Sequence, residues 1–168
     1  MGNDPPEQGF TDLYRANHGR VLRFVARRVG EEAEAEDLTA EVFRIAWDKS
    51  VRGEVLTPAW LFVTARHVLS NHRRSVQRGD FAYRRLAVTS PGGQPAGETA
   101  DLVSEVLEQL PEAQRDVLVH RYWDDLGASE IAALTGLSVS AVWVRLHRAR
   151  QAFKRSFKAI TEVGHAKR

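Results

Sequence analysis

The stretch "SEIAALTGLSVSAVWVRLHRAR", Ser129 to Arg150, decides the fold. Its first half carries Ile131 and Leu134. Its second half carries Val142 and Leu146, and Ala149 and Phe153 continue that stripe. Apolar side chains at three- and four-residue intervals share one face of a helix. Leu137 closes the apolar set at the turn, and Ala132 is small where two helices would cross closely. Gly136 supplies the permissive backbone of a sharp turn, and Ser138 is the expected N-cap of the second helix. Helix, tight turn and helix together make a helix-turn-helix pattern.

The faces left unburied are what give the pattern its chemistry. Ser140, Ala141, Val144, Arg145 and Arg148 fall on or near the outward side of the second helix. A helix laid in the major groove presents such residues to base edges, and arginine is the side chain that most often reads guanine. Arg150, Lys154, Arg155 and Lys158 lie further along and suit phosphates. From Val139 onward there are eight Lys and Arg against one acid, Glu162. A helical hairpin with a merely solvated basic face has the same periodicity. For Trp143 two roles stay open: packing against a helix expected over Pro111–Asp124, or contact with DNA. His147 suits a phosphate or solvent better than a metal.

Outward from this stretch the periodicity stays helical, and no alternating strand pattern is found. The spacing predicts helices over about Asp101–Leu110, Pro111–Asp124 and Val139–Phe157 beside the short one at Ser129–Thr135. Leu86 to Ala100 holds three glycines and two prolines in fifteen residues and reads as a flexible linker. Before it, helices are expected at about Thr11–Val29, with Thr11 as N-cap and Gly30 as stop, and at Glu31–Asp48. A third, Pro58–Arg74, opens on Thr57-Pro58, a good cap before a pre-organised first position. In the second of these helices Leu38, Val42, Ile45, Ala46 and Phe43 form the apolar stripe, beside a polar one of Asp37, Glu41, Arg44 and Asp48. Between Glu31 and Asp48 seven acids meet one base, whereas between Arg66 and Arg85 six arginines meet one acid. Opposite charge on neighbouring helices suggests two different partner surfaces.

The expected fold is therefore all-α: two small helical domains joined by a flexible linker. The expected boundaries are a disordered N-terminus over 1–9, a first domain over 10–85, the linker over 86–100, a second domain over 101–160 and a basic tail over 161–168.

Composition, 43% apolar and 27% charged, is that of a globular protein, and the net charge of +2 conceals the local asymmetry. The absence of cysteine excludes a disulfide framework and any thiolate zinc site, and fits a reducing cytosol. No secretory signal, myristoylation motif or bilayer-length apolar run is read in the chain, so a cytoplasmic location is expected. His67 and His72 are five apart and do not share a face as the histidines of a metalloprotease helix do. With no Gly-rich phosphate loop or nucleophile elbow, the sequence predicts no enzyme, no metal and no cofactor.

Two segments together carry a resemblance. "EAEDLTAEVFRIAW" followed by "TPAWLFVTARHVLSNHRR" resembles region two of the extracytoplasmic-function sigma factors of bacterial RNA polymerase. "LPEAQRDVLVHRYWDDLGASEIAALTGLSVSAVWVRLHRARQAF" resembles their region four. The likeness covers roughly Phe10 to Phe157, and the extra regions of primary sigma factors are not found. It implies an alternative sigma factor that binds core RNA polymerase, recognises a −35 element and melts a −10 element. By the same resemblance, Asp37, Leu38, Glu41, Phe43 and Arg44 dock on core polymerase. Trp60, Arg66, His67, Asn71, Arg73 and Arg74, with the loop Lys49–Thr57, hold the −10 non-template strand, a task suited to aromatic platforms and cations. Ser138, Ser140, Ala141, Val144, Arg145, Arg148, Arg150 and Lys154 contact the −35 duplex. An anti-sigma factor is the further partner implied.

Departures from the family's pattern fall at DNA-facing positions. His67 stands where Asn is common and Asn71 where Asp is common. Ser140-Ala141-Val142-Trp143-Val144-Arg145 replaces the frequent Gly-Thr-Val-Lys-Ser-Arg. They leave the fold expectation alone and point to a specialised promoter. The rival functions are a stand-alone regulator, which has no use for an acidic docking helix beside a basic, aromatic one, and a protein-only adaptor, which leaves the basic helix without work.

Overall fold

The computed structural model describes residues 6–79 and 97–166. The chain divides into two compact units, Met1–Gly92 and Gly93–Arg168. All regular structure among the described residues is helical.

The first unit holds α1 (Pro6–Ala26), α2 (Glu32–Val51) and α3 (Pro58–Gly79), each packed on the other two. Val21, Phe24 and Val25 from α1 meet Val42 and Ala46 from α2 and Leu61, Phe62 and Ala65 from α3, all essentially fully buried. Phe24 and Phe62 pack edge to face at 5.4 Å, a geometry that matches the positive ring edge to the negative ring face. Arg28 caps this pair, its guanidinium 3.7 Å from the Phe24 centroid and its Nη1 donating to the Phe24 carbonyl at 2.7 Å. Buried Asn17 is satisfied by donating to the Leu13 carbonyl and accepting from Arg20 Nη1. The Thr39 hydroxyl, fully buried on α2, has no hydrogen-bond partner.

Two expected features of α1 are corrected. The helix starts at Pro6, so Thr11 is interior and donates its hydroxyl to the Glu7 carbonyl at 2.7 Å instead of capping. Its end comes at Ala26, before Gly30, whose backbone is not left-handed. Thr57 does cap α3, its Oγ1 accepting from the Trp60 N–H at 3.2 Å. Between α2 and α3 the chain turns at Gly53, where φ is +81°, and the Lys49 carbonyl accepts from both Arg52 and Glu54.

The second unit holds α4 (Glu98–Gln109), α5 (Glu112–Tyr122), α6 (Ala128–Thr135) and α7 (Val139–Ala166). α7 packs on the other three, and Val142, Leu146 and Ala149 form its fully buried seam. Val106, Val117, Leu126 and Ile131 supply the other side of the core. Glu130 reaches back from the first turn of α6 to accept from the Gly127 N–H at 2.7 Å, satisfying a donor that the helix start leaves open. Gly136 ends α6 in the left-handed region, φ 71° and ψ 17°, as the sharp turn into α7 requires.

Of the expected boundaries, residues 1–5, 80–96 and 167–168 lie outside the described residues. Within the described ones, Pro6–Gly9 belong to α1 and not to an unstructured N-terminus. Glu98–Ala100 open α4, where the linker had been expected to continue. The tail is helix through residue 166, as an unbroken continuation of α7.

Candidate functional site

Three surfaces collect the candidate residues, two in the first unit and one in the second. On α2, Glu41, Arg44 and Asp48 stand one helical turn apart on the side away from the core, with Asp37 one turn before them. Arg44 binds both oxygens of Glu41 at 2.8 Å, through Nε and Nη2, and reaches Asp48 at 3.1 Å through Nη1. The bidentate bond from Arg44 and the proximity of its charge hold the Glu41 carboxyl below its ordinary value of 4.5, against a smaller opposing effect of burial. The same bond raises Arg44, so this guanidinium stays charged. Three carboxylates and one guanidinium leave this face acidic, yet pre-arranged. Leu38 is half-buried beside it.

On α3, Trp60, His67, Asn71 and Arg74 recur at intervals that keep them on one stripe of the helix. Arg66 and Arg73, seven apart, form an adjacent one. All except half-buried Trp60 are exposed. Lys49 Nζ lies 5.9 Å from the Trp60 ring centre and also pairs with Glu54 at 2.7 Å, so the loop and the start of α3 share one cation. Arg74 donates to Ser70 Oγ at 3.1 Å. His72, by contrast, turns inward and pairs with Glu34 of α2.

On α7, opposite the buried seam, Ser140 and Val144 lie along the outward line. Trp143 and His147 flank it on one side, and Ala141, Arg145 and Arg148 on the other. Ser138 caps the helix, accepting from the Ala141 N–H at 3.2 Å, and its hydroxyl is 3.1 Å from that of Ser140. Trp143 is 49% exposed, so half of its ring surface faces solvent on this side of α7. Arg150 is tied across to α5: its Nε donates to the Tyr122 hydroxyl at 2.8 Å. Lys154 is exposed one turn later.

Residues 13–79 match the family model described as Sigma-70 region 2, and residues 100–153 match Sigma-70, region 4. The ECF RNA polymerase sigma factor SigL of Mycobacterium tuberculosis is 30% identical over 155 residues, which cover 84% of this chain and 85% of the relative. The chain belongs to the extracytoplasmic-function sigma factors. RNA polymerase sigma factor YlaC of Bacillus subtilis is 32% identical over 155 residues, 86% of this chain and 90% of its own. Two solved structures share the fold. The sigma factor RpoE of Bartonella quintana, solved with the anti-sigma factor NepR, has a TM-score of 0.57 at 21% identity, covering 89% of this chain and 96% of its own. CnrH, solved with the cytosolic domain of CnrY, has a TM-score of 0.53 at 24% identity, covering 91% and 90%.

This sigma factor is thus an alternative sigma factor that directs transcription initiation by RNA polymerase. No helix among its described residues is long and apolar enough to cross a membrane. One of its expected docking residues is covered within the unit. Phe43 is 4% exposed and packs edge to face on Tyr14 at 4.8 Å and against His18 at 5.7 Å. In the free sigma factor it fixes α2 on α1 and offers no surface to a partner. Tyr122 is the residue that the sequence concealed. Its hydroxyl orients Arg150 from 28 positions away, and no spacing rule within one helix reaches that far.

Proposed function

We propose that the acidic face of α2 docks this sigma factor on core RNA polymerase, that α3 with the Lys49–Thr57 loop holds the melted −10 strand, and that the start of α7 enters the −35 duplex. The α7 surface carries this reading. Val142, Leu146 and Ala149 hold the helix by one seam, and the opposite side is left to a groove-sized ligand with cations following it. On α2, Asp37 and Glu41 supply charge for a basic partner helix while Phe43 holds the backbone beneath them, a division of labour that suits complementary docking. Trp60, His67, Asn71 and Arg74 combine an aromatic platform with polar and cationic groups along one stripe, as single-strand binding needs. The polymerase supplies the chemistry and its metal, and the sigma factor catalyses no reaction itself. Its site of action is the cytoplasm, where the polymerase works.

An anti-sigma factor is the partner proposed to mask these surfaces, since the structural relative from Bartonella quintana was solved with one.

The test is run-off transcription with bacterial core polymerase, with and without the protein, on promoters from its own genome. Discrete, protein-dependent start sites are expected. Silent core together with protection of a palindromic duplex by the protein alone would favour a stand-alone regulator. Asp37→Lys with Glu41→Lys is expected to abolish core binding while leaving helicity intact; unchanged affinity removes the docking assignment.

A further inference from the structure

The part of α7 that would enter a groove first is the part without charge. From Ser138 through Val144 there is no ionisable side chain. The two hydroxyls in this segment lie within hydrogen-bond distance of each other, and that of Ser138 is also engaged by the Ala141 N–H. Beside these two hydroxyls the exposed side chains are uncharged and largely apolar: Val144 is 50% exposed, Trp143 49% and Val139 44%. Val144 stands on the line opposite the buried seam, one turn before Arg148. Arg145, Arg148, Arg150 and Lys154 follow directly, so the ligand that meets this apolar patch is a polyanion. In duplex DNA the apolar group displayed in the major groove is the C5-methyl of thymine, and small aliphatic side chains read it by contact.

We infer that Val144 is a specificity-determining residue that reads a thymine C5-methyl group in the −35 duplex, with Trp143 as the adjoining apolar contact. The inference rests on the assignment of the start of α7 to that duplex and adds what it recognises there. An Arg or Asn at this position would select by hydrogen bonds. Valine has none to offer, so its discrimination comes from excluding water between two hydrocarbon surfaces. The basic residues that follow supply affinity and register without adding to that choice.

The experiment uses core polymerase carrying the full-length protein. A promoter with a randomised −35 window is first selected by transcription, and every thymine of the recovered window is then replaced singly by deoxyuridine. That exchange removes the methyl and keeps every hydrogen-bonding group. One or two positions are expected to lose about fourfold in promoter binding, the worth of one buried methyl-sized group (~0.8 kcal/mol). Val144→Ala should then bind the thymine and deoxyuridine promoters equally, and its half-exposed position makes the substitution harmless to folding. Trp143→Ala is the second variant and should reduce the same sensitivity. Deoxyuridine that is neutral at every position, or full sensitivity surviving in both variants, overturns the inference. Transcription that is indifferent to scrambling the whole window overturns the −35 assignment itself, which keeps the two failures apart.

Discussion

Arg150 and Tyr122 make a separable test of charge and orientation on the α7 surface. The Nε–hydroxyl bond is 2.8 Å, and the guanidinium lies 5.7 Å from the ring centre. Arg150→Ala removes the charge, whereas Tyr122→Phe removes the acceptor and keeps the ring. Because Tyr122 is 57% exposed, water competes for the bond, and its worth lies at the low end, about 0.5 kcal/mol or roughly twofold in affinity. If Arg150 meets a phosphate, its loss makes the slope of log affinity against log salt shallower by about 0.9. From about 50 to about 200 mM salt, the unaltered protein then loses roughly 3.5-fold more affinity than Arg150→Ala does. Tyr122→Phe should bind about twofold more weakly at every salt concentration with its slope unchanged. Fluorescence anisotropy of the holoenzyme on a duplex containing its −35 element measures both. A normal slope in Arg150→Ala refutes the phosphate contact. A shallower slope in Tyr122→Phe refutes the view that the hydroxyl only orients the cation.

Gly136→Ala is expected to destabilise the second unit by about 1 kcal/mol. No heavy atom lies within 4 Å of the added Cβ, so the cost is backbone strain at φ 71° less the gain from a stiffer unfolded chain. Urea unfolding followed by hydrogen exchange in α6 and α7 measures it, and a neutral result refutes the strain account. Thr39→Val should stabilise the first unit by about 1 kcal/mol, because it replaces a buried hydroxyl without a partner by a methyl of similar shape. A lower urea midpoint would show that the hydroxyl is paired after all. Glu41 has a lowered carboxyl value, so the stability it contributes is present above 4.5 and is lost as pH falls through its folded value. The difference in urea midpoint between the unaltered protein and Glu41→Gln should therefore be largest at neutral pH, modest because the pair is exposed, and vanish in acid. A difference that grows on acidification would reverse the assignment.

The helix pair of the second unit was legible because both its signals are local. Apolar spacing placed Ile131, Leu134, Val142 and Leu146, and a glycine marked the turn. The residues that went astray are those with two local solutions. A threonine before an apolar run can cap a helix or return its hydroxyl to the carbonyl four residues back. Thr11 does the latter because Pro6 and Glu7 already supply a helix start. Glu98 is an acid suited to a first helical turn, but it follows a Gly- and Pro-rich run whose composition masked the start of α4. The sequence pattern ends this helix at about Phe157, whereas α7 runs on to Ala166. Ser, Lys and Thr positions interrupt the apolar stripe there, although Phe153 and Phe157 stack at 6.0 Å and lead the helix on.

Phe43 and Trp143 define the limit more sharply. Each directly follows a fully buried valine, Val42 or Val142, and so stands about 100° around its helix from the core seam. Periodicity assigns them the same status. Yet Phe43 is 4% exposed and Trp143 is 49% exposed. The difference comes from a neighbour: α1 brings Tyr14 and His18 against Phe43, whereas half of Trp143 stays in water. Which side of a helix acquires a neighbour is a property of the assembled unit and not of the helix that carries the residue. The same contrast separates their roles. An aromatic side chain covered within its own unit has spent its apolar surface on folding, and Phe43 can serve docking only by holding α2 in place. One left uncovered beside a run of cations retains that surface for a ligand. On the proposed reading Trp143 stands with Val144 in the surface offered to DNA, and Phe43 contributes to docking through the position of α2 and not by its own surface.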